Sequence, residues 1–102
     1  MHLIEILLPL YDRAGAPIDA ARFAEVRREL VAGFGGLTAF TRAPAQGAWR
    51  NPAGEVERDD VVIVEVQAET LEREWWRGYR RALETRFAQA EISVRAFACE
   101  KL

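Results

Sequence analysis

Residues 60–67 read Asp60-Val61-Val62-Ile63-Val64-Glu65-Val66-Gln67. A run this rich in β-branched residues and bounded by acids predicts a strand. It also separates two faces, because successive side chains on a strand point to opposite sides. Val62, Val64 and Val66 share one side; Val61, Ile63, Glu65 and Gln67 share the other. An all-valine side belongs beneath helices. The side that mixes apolar and charged residues must be dealt with in another way.

Upstream of this strand, residues 44–59 hold Gly47, Pro52 and Gly54. They read as a long twisted hairpin whose arms extend the flanking strands. Leu37–Ala43 reads as the strand before it. Phe23, Val26, Leu30 and Phe34 recur at helical spacing after Asp19, a suitable N-cap, and Gly35-Gly36 ends that helix. The chain opens on the alternation Leu3-Ile4-Glu5-Ile6-Leu7-Leu8, a strand over His2–Leu8 that stops at Pro9. Downstream, Thr70 is placed to cap a second helix with the stripe Trp76, Tyr79, Leu83 and Phe87. Trp76 is expected inside, with Trp75 covering a helix edge. Gly78 lies mid-helix at a cost of about 1 kcal/mol relative to alanine, which close packing on the sheet or room for a neighbour would justify. Glu91–Cys99 closes the chain as a last strand. The order β-α-β-β-α-β over residues 1–102 predicts a single α+β domain of ferredoxin-like βαββαβ fold: a four-stranded antiparallel sheet with two helices on one face.

Composition narrows the function. The 102 residues suffice for one modest core. A net charge of -2 argues against nucleic acid, whose phosphates call for a basic field. No apolar run reaches membrane-spanning length. The chain starts on a strand, without a basic leader, so no signal peptide is expected. One cysteine, Cys99, excludes an internal disulfide. Together these predict a cytoplasmic protein, and the preference for Arg over Lys suggests a GC-rich bacterial genome. His2 is the only histidine. With no Cys/His cluster and no glycine-rich loop opening a helix, neither a metal nor a cofactor is expected.

Extending the two faces to the other strands places Ile4, Ile6, Leu8, Ile92, Val94, Ala96 and Ala98 under the helices. Leu3, Glu5, Leu7, Ser93, Arg95, Phe97 and Cys99 fall opposite, and Thr38, Phe40 and Arg42 fit that second face best. Its apolar members, Leu3, Leu7, Phe40, Val61, Ile63 and Phe97, form a patch at the upper end of what monomers expose, which predicts a homodimer through the open sheet face. With strand order 4-1-3-2, Glu5 and Glu65 stand on adjacent strands about 5 Å apart. At an effective dielectric of 20 they repel by about 3 kcal/mol, so either one holds a proton or cations stand beside them. Arg95 and Arg42 flank them and complete a row Arg95, Glu5, Glu65, Arg42.

Two functional readings follow. In one, the row is the polar floor of a pocket for a small organic molecule. Glu5 or Glu65 is then the catalytic acid or base, Arg42 and Arg95 hold an anionic group, and Trp49 and Phe97 supply apolar walls. Tyr11, just past the first strand, faces the same end of the sheet. In the other, the row is a structural ion-pair network and the face serves a non-catalytic dimerisation or protein-interaction module.

Gly36-Leu37-Thr38, Gly47-Ala48-Trp49-Arg50, Asp60-Val61-Val62-Ile63-Val64, and Tyr79 with Phe87-Ala88-Gln89 and Glu91 carry a resemblance. The chain resembles a family of small bacterial proteins of unknown function, with a Gly-Leu-Thr strand start, a Gly-x-Trp element, a valine-rich strand and a Tyr…Phe-x-Gln helix end. More loosely, it is similar to the dimeric α+β barrel superfamily, which includes small cofactor-independent monooxygenases and isomerases. That resemblance implies a dimer with a ligand pocket between sheet and partner. The lone histidine matches no catalytic position of the superfamily.

Overall fold

The structure is a computed structural model. It describes the backbone of residues 1–102 and the side chains of 1–40, 45–57 and 59–102. The elements run β1 (His2–Pro9), α1 (Ala20–Phe34), β2 (Thr38–Arg50), β3 (Val56–Ala68), α2 (Arg73–Arg86) and β4 (Val94–Ala98). All strand pairs are antiparallel, and taken as continuous ladders the strands lie in the order β2-β3-β1-β4.

The expected four-stranded ferredoxin-like sheet requires correction. The antiparallel sheet is a curled half-barrel of six strands. The physical reason lies in the β2–β3 hairpin, whose arms are each 13 residues long. Their register shifts between Phe40 and Ala45. Such an irregularity bends the strand and raises its local twist. The proximal ladder, from Thr38–Glu65 to Phe40–Ile63, and the distal ladder, from Ala45–Val61 to Arg50–Val56, are therefore separate segments. The hairpin closes at Asn51, whose Oδ1 accepts from Glu55 N at 3.0 Å, with Gly54 in the left-handed region.

One layer of core lies between sheet and helices. Ile4, Ile6 and Leu8 from β1, and Val62, Val64 and Val66 from β3, meet Val26 and Leu30 of α1 and Trp76, Tyr79 and Leu83 of α2. All are buried, and burying a side chain of this size is worth about 1.5–3 kcal/mol. Asp19 caps α1, accepting from Ala21 N at 3.0 Å. Gly35 ends α1 with φ 83°, where a Cβ would clash with the following carbonyl. Helix α2 starts later than Thr70: its N-cap is Glu72, which makes no side-chain capping bond. β4 is also shorter than expected, although Leu7 N still donates to Ser93 O at 3.0 Å ahead of it. No helix among the described residues is long and apolar enough to cross a membrane.

The helices are joined by aromatic and ionic contacts. Phe34 of α1 stacks on Trp76 at 5.0 Å and meets Trp75 edge-on at 5.4 Å, while Trp75 stacks on Tyr79 within α2 at 5.0 Å. Trp76 is buried and Trp75 half-exposed, as the helical stripe implies. Arg86 forks onto Glu29, Nη2 donating to Oε2 at 2.8 Å and Nη1 to Oε1, and Tyr79 OH donates to Glu29 Oε1 at 3.3 Å.

Candidate functional site

Strand register assembles the row on the open face. Glu5 pairs with Glu65 on one side and with Arg95 on the other, and Glu65 pairs with Thr38. The order across the sheet is therefore Arg95, Glu5, Glu65, Thr38. Thr38 occupies the backbone position expected for Arg42, which lies outside the described side chains. Phe97, Leu3 and Gln67 make the next row on one side; Leu7, Ile63 and Phe40 make it on the other.

The row is partly neutralised. Arg95 Nε donates to Glu5 Oε1 at 2.8 Å, and the same guanidinium lies 6.0 Å from the Phe97 ring centroid. The Glu5 side chain is 17% exposed and that of Arg95 53%. Arg95 thus covers Glu5 while presenting its outer edge to the surroundings. Among the described residues no cation stands within salt-bridge distance of Glu65. Phe40 and Phe97, at opposite sides of the face, are each 47% exposed. Among the described residues the arrangement offers one carboxylate without a cation, a guanidinium edge and two aromatic walls.

The remaining predicted residues lie elsewhere. Trp49 pairs with Glu57 on the distal arm, eight positions along β3 from Glu65, a path of about 26 Å along the strand. Its Nε1 donates to Asp59 Oδ2 at 2.8 Å, which ties the two arms together. Tyr11 is half-exposed in the loop after β1, and its carbonyl accepts from Gln89 Nε2 at 3.2 Å. Neither residue joins the Glu5–Glu65 row within one chain.

The residue pattern gave no warning of two cavities. One, of about 200 Å³, lies under α1 and is lined by Leu8, Phe23, Val26, Ala39, Val62 and Val64, with Arg27 at its rim. It is smaller than the 300–1,000 Å³ or so typical of ligand pockets. The other, of about 330 Å³, runs between α2 and the outer edge of β4 and contains Arg73, Arg77 and Arg80. Their i, i+4, i+7 spacing was visible in the chain, but the aromatic stripe of the same helix dominated its reading.

The Glu29–Arg86–Tyr79 cluster has the perturbed titrations. Arg86 hydrogen bonding holds the Glu29 carboxyl below its ordinary value, against a smaller opposing effect of burial. Burial, then the Glu29 charge, pushes the Tyr79 hydroxyl above its ordinary range. The first effect keeps Glu29 charged opposite Arg86 and the second keeps Tyr79 neutral as a donor to Glu29, so the cluster joins the two helices.

No protein-family model matches the chain, and no curated protein matches it. The functional reading therefore rests on geometry alone.

Proposed function

We propose that the protein is a homodimer through its open sheet face and binds or transforms a small organic molecule between the two sheets. The observation that carries this reading is the register of Arg95, Glu5 and Glu65 between the row Phe97, Leu3, Gln67 and the apolar row Leu7, Ile63, Phe40. An isologous contact must be self-complementary. This face carries a cation, two carboxylates and the exposed Phe40 and Phe97, so a second copy supplies both charge and apolar partners. A half-barrel facing another half-barrel leaves enclosed space over the polar row. Glu65 is the acid or base in that space, and Arg95 holds an anionic group of the ligand. Trp49, on the distal arm, reaches the partner rather than its own row. The lone cysteine, Cys99, fits a reducing cytoplasmic setting.

The alternative, a non-catalytic interaction module, is favoured by the neutralisation of Glu5 by Arg95. Sedimentation at micromolar concentration, followed by a crystal structure of the assembly, tests both. Twice the chain mass, reduced to a monomer by Phe97→Asp, supports the dimer; a monomeric wild type overturns it. A hydrated cavity reaching Glu65 supports ligand chemistry, and a dry, filled interface leaves only the interaction module.

A further inference from the structure

The groove between α2 and β4 combines three observations. First, its lining holds four arginines, Arg73, Arg77, Arg80 and Arg95, and no carboxylate. Arg95 donates to Glu5 on the open face, so its head is committed there, whereas the three α2 arginines share one helix face at i, i+4 and i+7. Second, two of the residues that line the groove carry donors without partners. Arg80 Nε and Trp76 Nε1 are both shut off from solvent, and neither has a hydrogen-bond partner among the described residues. A buried donor left unpaired is costly to the fold. Third, the floor is apolar, formed by Ile4, Val94 and Ala96 with the Trp76 ring.

Nearby acids only partly offset this charge. Arg77 pairs with Glu74, which is largely exposed, and Arg80 Nε lies 3.9 Å from Glu84 Oε2, too far for a hydrogen bond. Glu84 is otherwise engaged, since its Oε2 accepts from Ile92 N at 3.0 Å. Arg73 has no salt-bridge partner among the described residues. A cationic groove with unpaired donors and an apolar floor matches one ligand class. It suits a small molecule with an oxyanion, carboxylate or phosphate, on a compact apolar body. Guanidinium groups bind either oxyanion through paired N–H donors, and the indole and aliphatic floor takes the body.

We infer that the α2–β4 groove is a binding site for such an organic anion, with Arg73, Arg77 and Arg80 holding the oxyanion and Trp76 contacting the body. The site shares only Arg95 with the open-face row and does not depend on dimerisation. An anion in the groove meets the exposed parts of the α2 arginines first, and Arg80 Nε and Trp76 Nε1, shut off from solvent at rest, gain an acceptor when these side chains shift on binding.

The test titrates benzoate and phenyl phosphate into the ¹⁵N-labelled full chain at constant ionic strength. The three indole N–H resonances are followed, with the Trp76 signal assigned through Trp76→Phe. Saturable movement of the Trp76 indole and Arg80 Nε resonances is expected, while the Trp49 indole stays in place. Arg80→Gln and Arg73→Gln should each weaken binding roughly tenfold, the usual scale of one charge-assisted hydrogen bond. Arg28→Gln, on the exposed side of α1, should leave it unchanged. Two arginine variants guard against one that perturbs folding. Saturation by only one probe distinguishes carboxylate from phosphate. Failure of both probes to saturate at millimolar concentration, or saturation unaffected by either groove variant, overturns the site.

Discussion

Glu5 stands directly opposite Glu65 in the β1–β3 ladder, and it is Glu5 that receives Arg95, at 2.8 Å. One guanidinium therefore contacts one member of a pair of glutamates whose Cα atoms sit about 5 Å apart.

Removing that cation should cost more than removing the acid it serves. Arg95→Gln leaves two carboxylates facing each other and is expected to destabilise the fold by about 1 kcal/mol at low salt. Glu5→Gln removes the repulsion together with the ion pair and should be close to neutral. In the double variant, part of the Arg95→Gln loss should return. Urea denaturation of the four proteins measures the cycle. A neutral Arg95→Gln at low ionic strength would show that Arg95 contributes nothing to the row.

Stability should also report on Glu29. Its folded-state carboxyl titrates below its ordinary value because Arg86 hydrogen-bonds to it. A depressed carboxyl contributes stability that is present above the unfolded-state value and is lost as pH falls through the folded-state one. Glu29→Gln should therefore be destabilised relative to wild type at pH 7, and the gap should close on acidification below about pH 4. The Glu29 side chain is 38% exposed, so solvent screening limits the effect to less than about 1 kcal/mol. Thermal melts of both proteins across this pH range give the comparison. A gap that persists at low pH would place the contribution in packing.

One backbone position on α2 and one just beyond its end offer opposite substitutions with the same expected sign. A Cβ at Gly78 would meet only the Arg81 guanidinium, at 3.9 Å, and no sheet atom. Close packing on the sheet is thus not what keeps glycine there, and Gly78→Ala should stabilise by about 1 kcal/mol. Just beyond the helix, Ala88 has φ 51°, a left-handed conformation that costs an alanine about 1–2 kcal/mol. There the backbone turns so that Gln89 N donates to Glu84 O at 2.9 Å and its side chain reaches Tyr11 O. Ala88→Gly should relieve the strain. Chemical denaturation would detect both gains, and a loss at Gly78→Ala would mean that something outside the chain packs against that position.

Much of the open face was legible in residue alternation. The side of Glu5, Glu65, Arg95, Phe40 and Phe97 follows from a period of two, since any other assignment would bury a charge beneath a helix. The row's fourth member was not legible. Arg42 has the right parity, but Thr38 is the residue that stands opposite Glu65. Trp49 and Tyr11 shared composition with a pocket without sharing its place. The α2 arginines were visible as a spacing, yet only the neighbouring edge of β4 makes them one wall of a groove.

By itself, the order of residues determined which side of each strand is apolar, where the helices carry their buried stripes, and which charges had to share a surface. Those are local properties, set by side-chain geometry over one or two turns of chain. Tertiary structure alone decided the axial register of the strands, the break between Phe40 and Ala45, the curl into a half-barrel, and the pairing of Arg95 with Glu5. These depend on hydrogen bonds and packing between segments far apart in the chain. Alternation is indifferent to a slide of two residues, whereas those contacts are not.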